Sequence, residues 1–317
     1  MTLIPITAIP EGLALAGGSE PPDAAIAAAL ADLPDKAPVV IMVHGKGYRP
    51  GQFDRDPHNL LFAPRGGHGN SRNISWPRRL GFALPGPRDP LGLCIAFGWE
   101  ASGRIWAATA KADAASGPLA ALIALIRRFA PGRRVDLIGH SLGARVILGA
   151  VAQAEAGSVG RAILLAGADF TGRARQVLDT PAGRAAEFFN VTSRENDLFD
   201  FLFERALSPL GREAALGRGL GGAENWLDIQ IDHAATVQGL RAMGLPLAAP
   251  PLRICHFSVY LRPGVFRLYR RLVHDREGLT MAQLRAALPL TPDPRWSRFP
   301  RLLPRRWPGA TAFGKRA

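Results

Sequence analysis

The stretch VDLIGHSLGARV, residues 135–146, decides the reading of this chain. It opens as a short apolar run, passes through Gly139-His140-Ser141-Leu142-Gly143, and continues with apolar side chains at 142, 146, 147 and 150. The first part has the make-up of a buried strand and the second the spacing of a helix packed on one face. A serine at such a junction sits on a sharp, strained turn that lifts its hydroxyl above the sheet. Glycines two before and two after it let strand and helix approach without Cβ clashes. The N–H groups that open the helix lack partners inside it and carry partial positive charge, which favours an oxyanion nearby. Glycine fills 35 of 317 positions, so the pentapeptide alone arises by chance in roughly one such chain in eight. The strand before it and the helix after it raise Ser141 from an incidental serine in a Gly-rich turn to a candidate nucleophile.

Outward from this junction the chain alternates strands and helices. PVVIMV (38–43), ended by His44-Gly45, is a continuous β-branched run of the kind buried on both faces of a parallel sheet. LGLCIAFGW (91–99), RAILLAG (161–167), AEFFNVT (186–192) and NWLDIQI (225–231) read as further strands, with helices over 105–129 and 141–155. Such alternation predicts an α/β fold: a mostly parallel sheet wrapped by helices, with a loop-rich cap. Residues 1–37 read as an N-terminal extension holding an edge strand (LIPITAI) and a short helix (DAAIAAALADL). The main domain spans 38–275. Within it, 47–90 is rich in Gly, Pro, Arg and Asn without clear periodicity, as expected of a cap or active-site loop. Residues 276–317 read as a basic, Pro-rich C-terminal extension draped on the surface, with no acidic residue from Arg295 onward.

Composition narrows the class. With 317 residues and 47% apolar content the chain is long enough for one large core. No run of eighteen apolar residues appears, and the N-terminus has no basic residue ahead of its apolar part, so the expectation is a cytoplasmic protein with neither a spanning helix nor a signal peptide. Two cysteines, Cys94 and Cys255, in apolar runs fit buried free thiols better than a disulfide scaffold, and no Cys/His spacing suggests zinc. The net charge of +13 rests on arginine, with only four lysines among 39 basic residues. Compositional bias explains it more simply than a nucleic-acid partner does. The tail lacks the aromatic interleaving of a strand-stacking surface, leaving a weak contact with anionic surfaces as its expected role.

The segment VDLIGHSLGARV resembles the nucleophile elbow of α/β-hydrolase lipases, esterases and thioesterases, and VVIMVHGKG resembles the strand and His-Gly loop that accompany it. The resemblance covers roughly residues 38–275. It implies a serine hydrolase that cleaves a carboxylic ester or thioester through an acyl-enzyme on Ser141, without metal or organic cofactor. An acyltransferase and a non-catalytic binding scaffold of the same fold are the alternatives. It implies an oxyanion hole formed by the N–H of Leu142 and by the loop at Gly45 and Lys46, where HGKG stands in place of HGGG. His44 is expected to brace that loop. The order Ser, acid, His places the acid after 141 and the base after the acid. Asp197, in NVTSREND after a strand, is favoured over Asp169, with Asp179 and Glu195 as weaker candidates. His256, in RICHFSVYLRPGVF, is favoured over His233, which follows NWLDIQID, and His274 reads as solvated. The apolar run LFDFLF (198–203) reads either as core or as the wall of a pocket for a lipid-like or aromatic ester.

Overall fold

Side chains of the run 39–43 alternate between two apolar layers, Val39, Ile41 and Val43 in one and Val40 and Met42 in the other. A strand that is apolar on both faces must be covered on both, and that requirement organises the molecule. A computed structural model describes residues 2–66, 73–82, 92–250 and 252–296. It shows an α/β fold built on one sheet of eight strands: β1 (Thr2–Ile9), β2 (Gly12–Leu15), β3 (Val39–Val43), β4 (Leu93–Gly98), β5 (Val135–His140), β6 (Val159–Leu165), β7 (Glu187–Thr192) and β8 (Trp226–Gln230). Their order is β2-β1-β4-β3-β5-β6-β7-β8. Only the β1/β2 pair is antiparallel.

One face is covered by α1 (Asp23–Ala31), α3 (Ile105–Phe129), α4 (Leu142–Gln153), α5 (Thr171–Leu178), α6 (Pro181–Ala185) and α7 (Asp197–Leu207). The other is covered by α2 (Trp76–Leu80), α8 (Ala234–Ala242), α9 (Ser258–Leu261), α10 (Val265–His274) and α11 (Met281–Ala287). By length and composition alone α3 could cross a membrane. Here it lies along α4 and buries Ala108, Ala112, Leu119, Leu122 and Ile126 in the core.

Two boundaries read from the sequence fall inside packed structure. The N-terminal segment is part of the sheet: β1 lies between β2 and β4, Ile4 and Ile6 are core residues, and the edge position passes to β2, folded back from β1 in a hairpin. The extension proposed from 276 begins as core. Leu279, Met281, Leu284 and Leu288 are buried, and α11 opens on a capping box between Thr280 and Gln283. Its apolar residues recur at helical spacing, but the surrounding arginines and prolines mask them in the sequence. Buried Arg161 on β6 holds this connection, donating to the carbonyls of Leu272 (2.8 Å) and Leu279 (2.9 Å). Arg295 pairs with Glu204 at 2.9 Å. The rest of the expected tail, 297–317, and parts of the expected cap, 67–72 and 83–90, lie outside the described residues, as does Leu91.

The glycines around Ser141 test the close-approach argument. A Cβ on Gly143 would lie 2.5 Å from the Val43 carbonyl oxygen and 2.7 Å from that of His44, both backbone atoms of the neighbouring strand and loop. A Cβ on Gly117, in α3, would meet nothing nearer than 3.9 Å. Gly143→Ala should therefore destabilise the protein by about 1–3 kcal/mol through overpacking. Gly117→Ala should stabilise it by up to about 1 kcal/mol through helix propensity. Denaturant unfolding of the two variants measures both, and equal effects would refute the close-approach reading.

Candidate active site

Chain order reverses at the centre of the sheet, with β4 on one side of β3 and β5 on the other. The connections leaving β3 and β5 diverge there, which opens a crevice at the carboxyl ends of the strands. Ser141 sits in it, between the last residue of β5 and the first of α4. Its φ of 55° and ψ of −122° are an unfavourable conformation for a residue with a Cβ. The turn is held on three sides. Ser141 N–H donates to the Leu165 carbonyl (2.9 Å), and the Ser141 carbonyl accepts from Ala144 and Ala168 (3.0 Å each). A Cβ on Gly139 would fall 2.6 Å from Ile147 Cδ1, so the strand can meet the helix only without one.

The loop after β3 lies directly against the serine. A side chain on Gly45 would come within 3.0 Å of Ser141 Cβ and 2.9 Å of the His140 carbonyl oxygen. His44 holds the loop in this position. Its Nε2 accepts the Trp99 N–H (3.0 Å), so the ring proton is on Nδ1, which donates to the Gly45 carbonyl (2.9 Å). The Trp99 indole N–H returns to the His44 carbonyl (3.0 Å), and the two rings stack with centroids 5.4 Å apart. Burial pushes the His44 pKa down to about 3, so the ring stays neutral and keeps this pattern of donor and acceptor. The N–H groups of Leu142 and Lys46 have no acceptor among the described residues. Lys46 lines the same cavity as Ser141.

His256 lines that cavity too, and its ring is fixed from several directions. The loop carrying it is tied to the loop after β7 by the Cys255 N–H, which donates to the Glu195 carbonyl (2.9 Å). His140 Nε2 donates to the His256 carbonyl (3.0 Å), and the two rings lie 4.5 Å apart between centroids. His256 Nδ1 meets Asn196 Oδ1 at 2.6 Å. Asn196 Nδ2 donates to Asp200 Oδ1 at 2.9 Å, which leaves Oδ1 as the acceptor facing the ring. The His256 proton is therefore on Nδ1, and Nε2 keeps its lone pair. Burial holds the His256 pKa well below the usual histidine value, with the neighbouring His140 adding to the shift.

Asp200 ends this chain of hydrogen bonds. It is buried, its Oδ2 has no hydrogen-bond partner among the described residues, and burial raises its pKa to about 7 against the opposing charges of Arg295 and Arg194. A Cβ on Gly217 would lie 1.9 Å from Asp200 Oδ2, so only glycine leaves room for the carboxylate.

Of the residues singled out in the sequence, Ser141, His256 and Lys46 line one cavity, and Gly45 and Leu142 flank the serine. Asp197 does not join them. It is the first residue of α7, one position past Asn196, and its carboxylate takes the Trp296 N–H (2.5 Å) and pairs with Arg194 (3.1 Å). One step along the chain near a helix start turns the side chain by about 100°, enough to leave the imidazole to its neighbour. Asp169 is buried on Arg145 (2.7 Å) and Arg173 (3.4 Å). Glu195 is buried on Arg262, and Asp179 caps α5. His233 caps α8, its Nδ1 accepting the Ala235 N–H, and pairs with Asp293 at 3.2 Å. His274, expected in solvent, is half-buried: Nε2 donates to the Leu80 carbonyl (2.9 Å) and the ring packs on Phe82.

Asn196, His140 and Asp200 were not among the sequence candidates. The spacing of Asn196 and Asp200, four residues apart at a helix start, is the signal that could have found them. The cavity has a volume of about 560 Å³ and mostly apolar walls, to which Phe199, Leu202 and Phe203 of the LFDFLF run and Tyr48 and Leu61 of the 47–90 segment contribute. Among the described residues no group of His, Cys, Asp and Glu is placed to hold a metal ion. Compared with known proteins, the chain matches no family model and no curated sequence.

Proposed function

We propose that this protein is a serine hydrolase of the α/β-hydrolase type, cleaving a carboxylic ester or thioester with an apolar acyl group through an acyl-enzyme on Ser141. The observation that carries the reading is the strained serine itself: a non-glycine residue at φ 55°, at the crevice of a parallel sheet, in one cavity with an imidazole whose Nδ1 is engaged. Strain of this kind costs on the order of 1–3 kcal/mol and persists where the surrounding structure enforces it, most often at functional sites.

In the proposed reaction His256 Nε2 takes the hydroxyl proton as Ser141 Oγ attacks the carbonyl carbon. The oxyanion that forms meets the N–H of Leu142 and the N–H groups of the Gly45–Lys46 loop, which are oriented before substrate arrives. The tetrahedral intermediate collapses as the His256 imidazolium gives its proton to the departing alcohol or thiol. A water molecule, deprotonated by the same nitrogen, then attacks the acyl-enzyme and returns the serine. Asn196 holds the imidazole in the tautomer that leaves Nε2 bare, and Asp200 fixes the amide of Asn196. The apolar walls suit the acyl part, and a cavity of this size takes a small-molecule ester.

A fluorophosphonate probe should label the wild-type protein and leave Ser141→Ala unlabelled; absence of labelling in the wild type would end the hydrolase reading. His256→Ala should lower ester turnover by at least about a thousandfold. His233→Ala should cost about 1 kcal/mol of stability through the lost cap and keep its turnover. The reverse pattern would identify His233 as the base. The pH profile supplies a further check. Because burial holds the folded His256 pKa below 6.5, the base stays unprotonated as pH falls through that value, and the acid limb of kcat/KM should lie below pH 6.5. In Asn196→Asp a carboxylate beside Nδ1 favours the imidazolium, so the limb should move to higher pH. A limb that stays in place would show that residue 196 does not govern the base.

A further inference from the structure

The arginines of this chain are mostly neutralised where they are buried. Arg145 pairs with Asp113 and Asp169, Arg161 with Glu187, and Arg295 with Glu204. A second set is placed differently, at the mouth of a second cavity: Arg65, Arg78, Arg79 and Arg267 are exposed and Arg270 is half-buried. This cavity, of about 1130 Å³, lies between α2, α10 and the strap 246–248. Arg65, Arg78, Arg79, Arg267 and Arg270 line it, no acidic residue does, and none of the five has an ion-pair partner among the described residues. Arg78 and Arg79 end α2, and Arg267 and Arg270 stand one turn apart on α10. Same-sign neighbours at that spacing lower helix stability.

The walls are fixed, and they are not uniformly polar. Gly264, at φ 101°, lets the strap pass so closely that a Cβ there would fall 2.3 Å from the Pro246 carbonyl oxygen, and Ala248 N–H donates to the Pro263 carbonyl (3.0 Å). Gly81, at φ 93°, ends α2 against the Arg270 guanidinium. Arg262, held by the buried Glu195 and by the Ile231 carbonyl, also reaches this lining, and its Nε has no hydrogen-bond partner among the described residues. Ile74, Leu247 and Phe266 supply an apolar floor. Guanidinium groups match phosphate oxygens with paired N–H donors, and several converging on one concave site favour a multiply charged anion over a single carboxylate. A concave site of this volume suits a molecule of nucleotide size better than a flat polyanionic surface.

We infer that this arginine-lined cavity, which shares Tyr260 as a wall with the Ser141 cavity, binds a small organic phosphate or oligophosphate, with the phosphates on Arg78, Arg79, Arg267 and Arg270 and the less polar body on Ile74, Leu247 and Phe266. Calorimetric titration of the full chain with inorganic pyrophosphate, at ionic strength held constant with chloride, tests it. Saturable binding at one site is expected. Arg78→Ala and Arg267→Ala, both at exposed positions, should each weaken it about tenfold, the loss of one charge-assisted bond. Arg134→Ala and Arg241→Ala, exposed arginines elsewhere, should leave it unchanged. A parallel arm replaces pyrophosphate with phosphatidic acid vesicles. Binding to vesicles without binding to pyrophosphate would mean a surface for lipid headgroups and overturn the cavity site. Heat no greater than that of chloride, or equal weakening by all four substitutions, would overturn it as well. None of these readouts depends on turnover at Ser141.

Discussion

The ion pair between Arg262 and Glu195, both shielded from solvent, is the contact on which the geometry of the candidate site depends. Glu195 lies in the turn after β7, and Arg262 follows the short helix after His256. The pair clamps together two loops that no strand connects. Glu195 adds its carbonyl to the Cys255 N–H, and Arg262 adds a bond to the Ile231 carbonyl at the end of β8. A buried pair of this kind gives little net stability against an apolar substitute, but removing one partner strands a charge in the interior, typically at 3–5 kcal/mol. What it supplies here is register: with 195 and 262 locked, Asn196 and His256 face each other, and the imidazole arrives over the crevice in one orientation.

The serine side of the crevice is enforced by packing instead. Gly143 under β3, Gly139 against Ile147 and Gly45 against Ser141 Cβ leave no room for the turn to relax. His44, kept neutral by burial, locks the adjoining loop onto Trp99. The two halves of the site therefore rest on different physics. Steric exclusion fixes Ser141 and the loop at Gly45 and Lys46, and buried electrostatics fix His256. They meet at His140, whose ring spans from the elbow to the His256 carbonyl.

Much of this was legible in the residues. The β-branched run at 39–43, the glycines around Ser141 and the alternation of strand and helix follow from local stereochemistry, and the parallel sheet and its crevice follow from them. Sequence favoured His256 over His233 only narrowly, and it is the fold that places His256 in the Ser141 cavity and His233 at the start of α8. The partner of His256 was not legible. A search for the negative charge that commonly accompanies such a histidine passes over Asn196 for Asp197 next to it, and only the start of α7 decides which of the two faces the ring. The core role of 279–288 was hidden for a different reason: four apolar residues at helical spacing are a weak signal among arginines and prolines, and their burial depends on Arg161, more than a hundred residues earlier.

The neutral amide beside His256 changes what the site can do. A carboxylate in that place would fix the tautomer and also stabilise the imidazolium that the proposed reaction would form on His256. Asn196 does the first through Oδ1 and contributes no charge for the second. The nearest charge behind it is Asp200, one hydrogen bond further on, with a pKa near 7. Above that value Asp200 is ionised and polarises the amide toward the ring; below it the carboxyl is neutral, and the support for a protonated His256 weakens. The His256 ring thus keeps one orientation wherever the loops hold, and in the proposed reaction its strength as a base follows a carboxylate that does not touch it. In the proposed reaction, more of the barrier would then be lowered by the preset N–H groups at Leu142 and the Gly45–Lys46 loop, on the side of the crevice that His44 and three close-packed glycines hold rigidly.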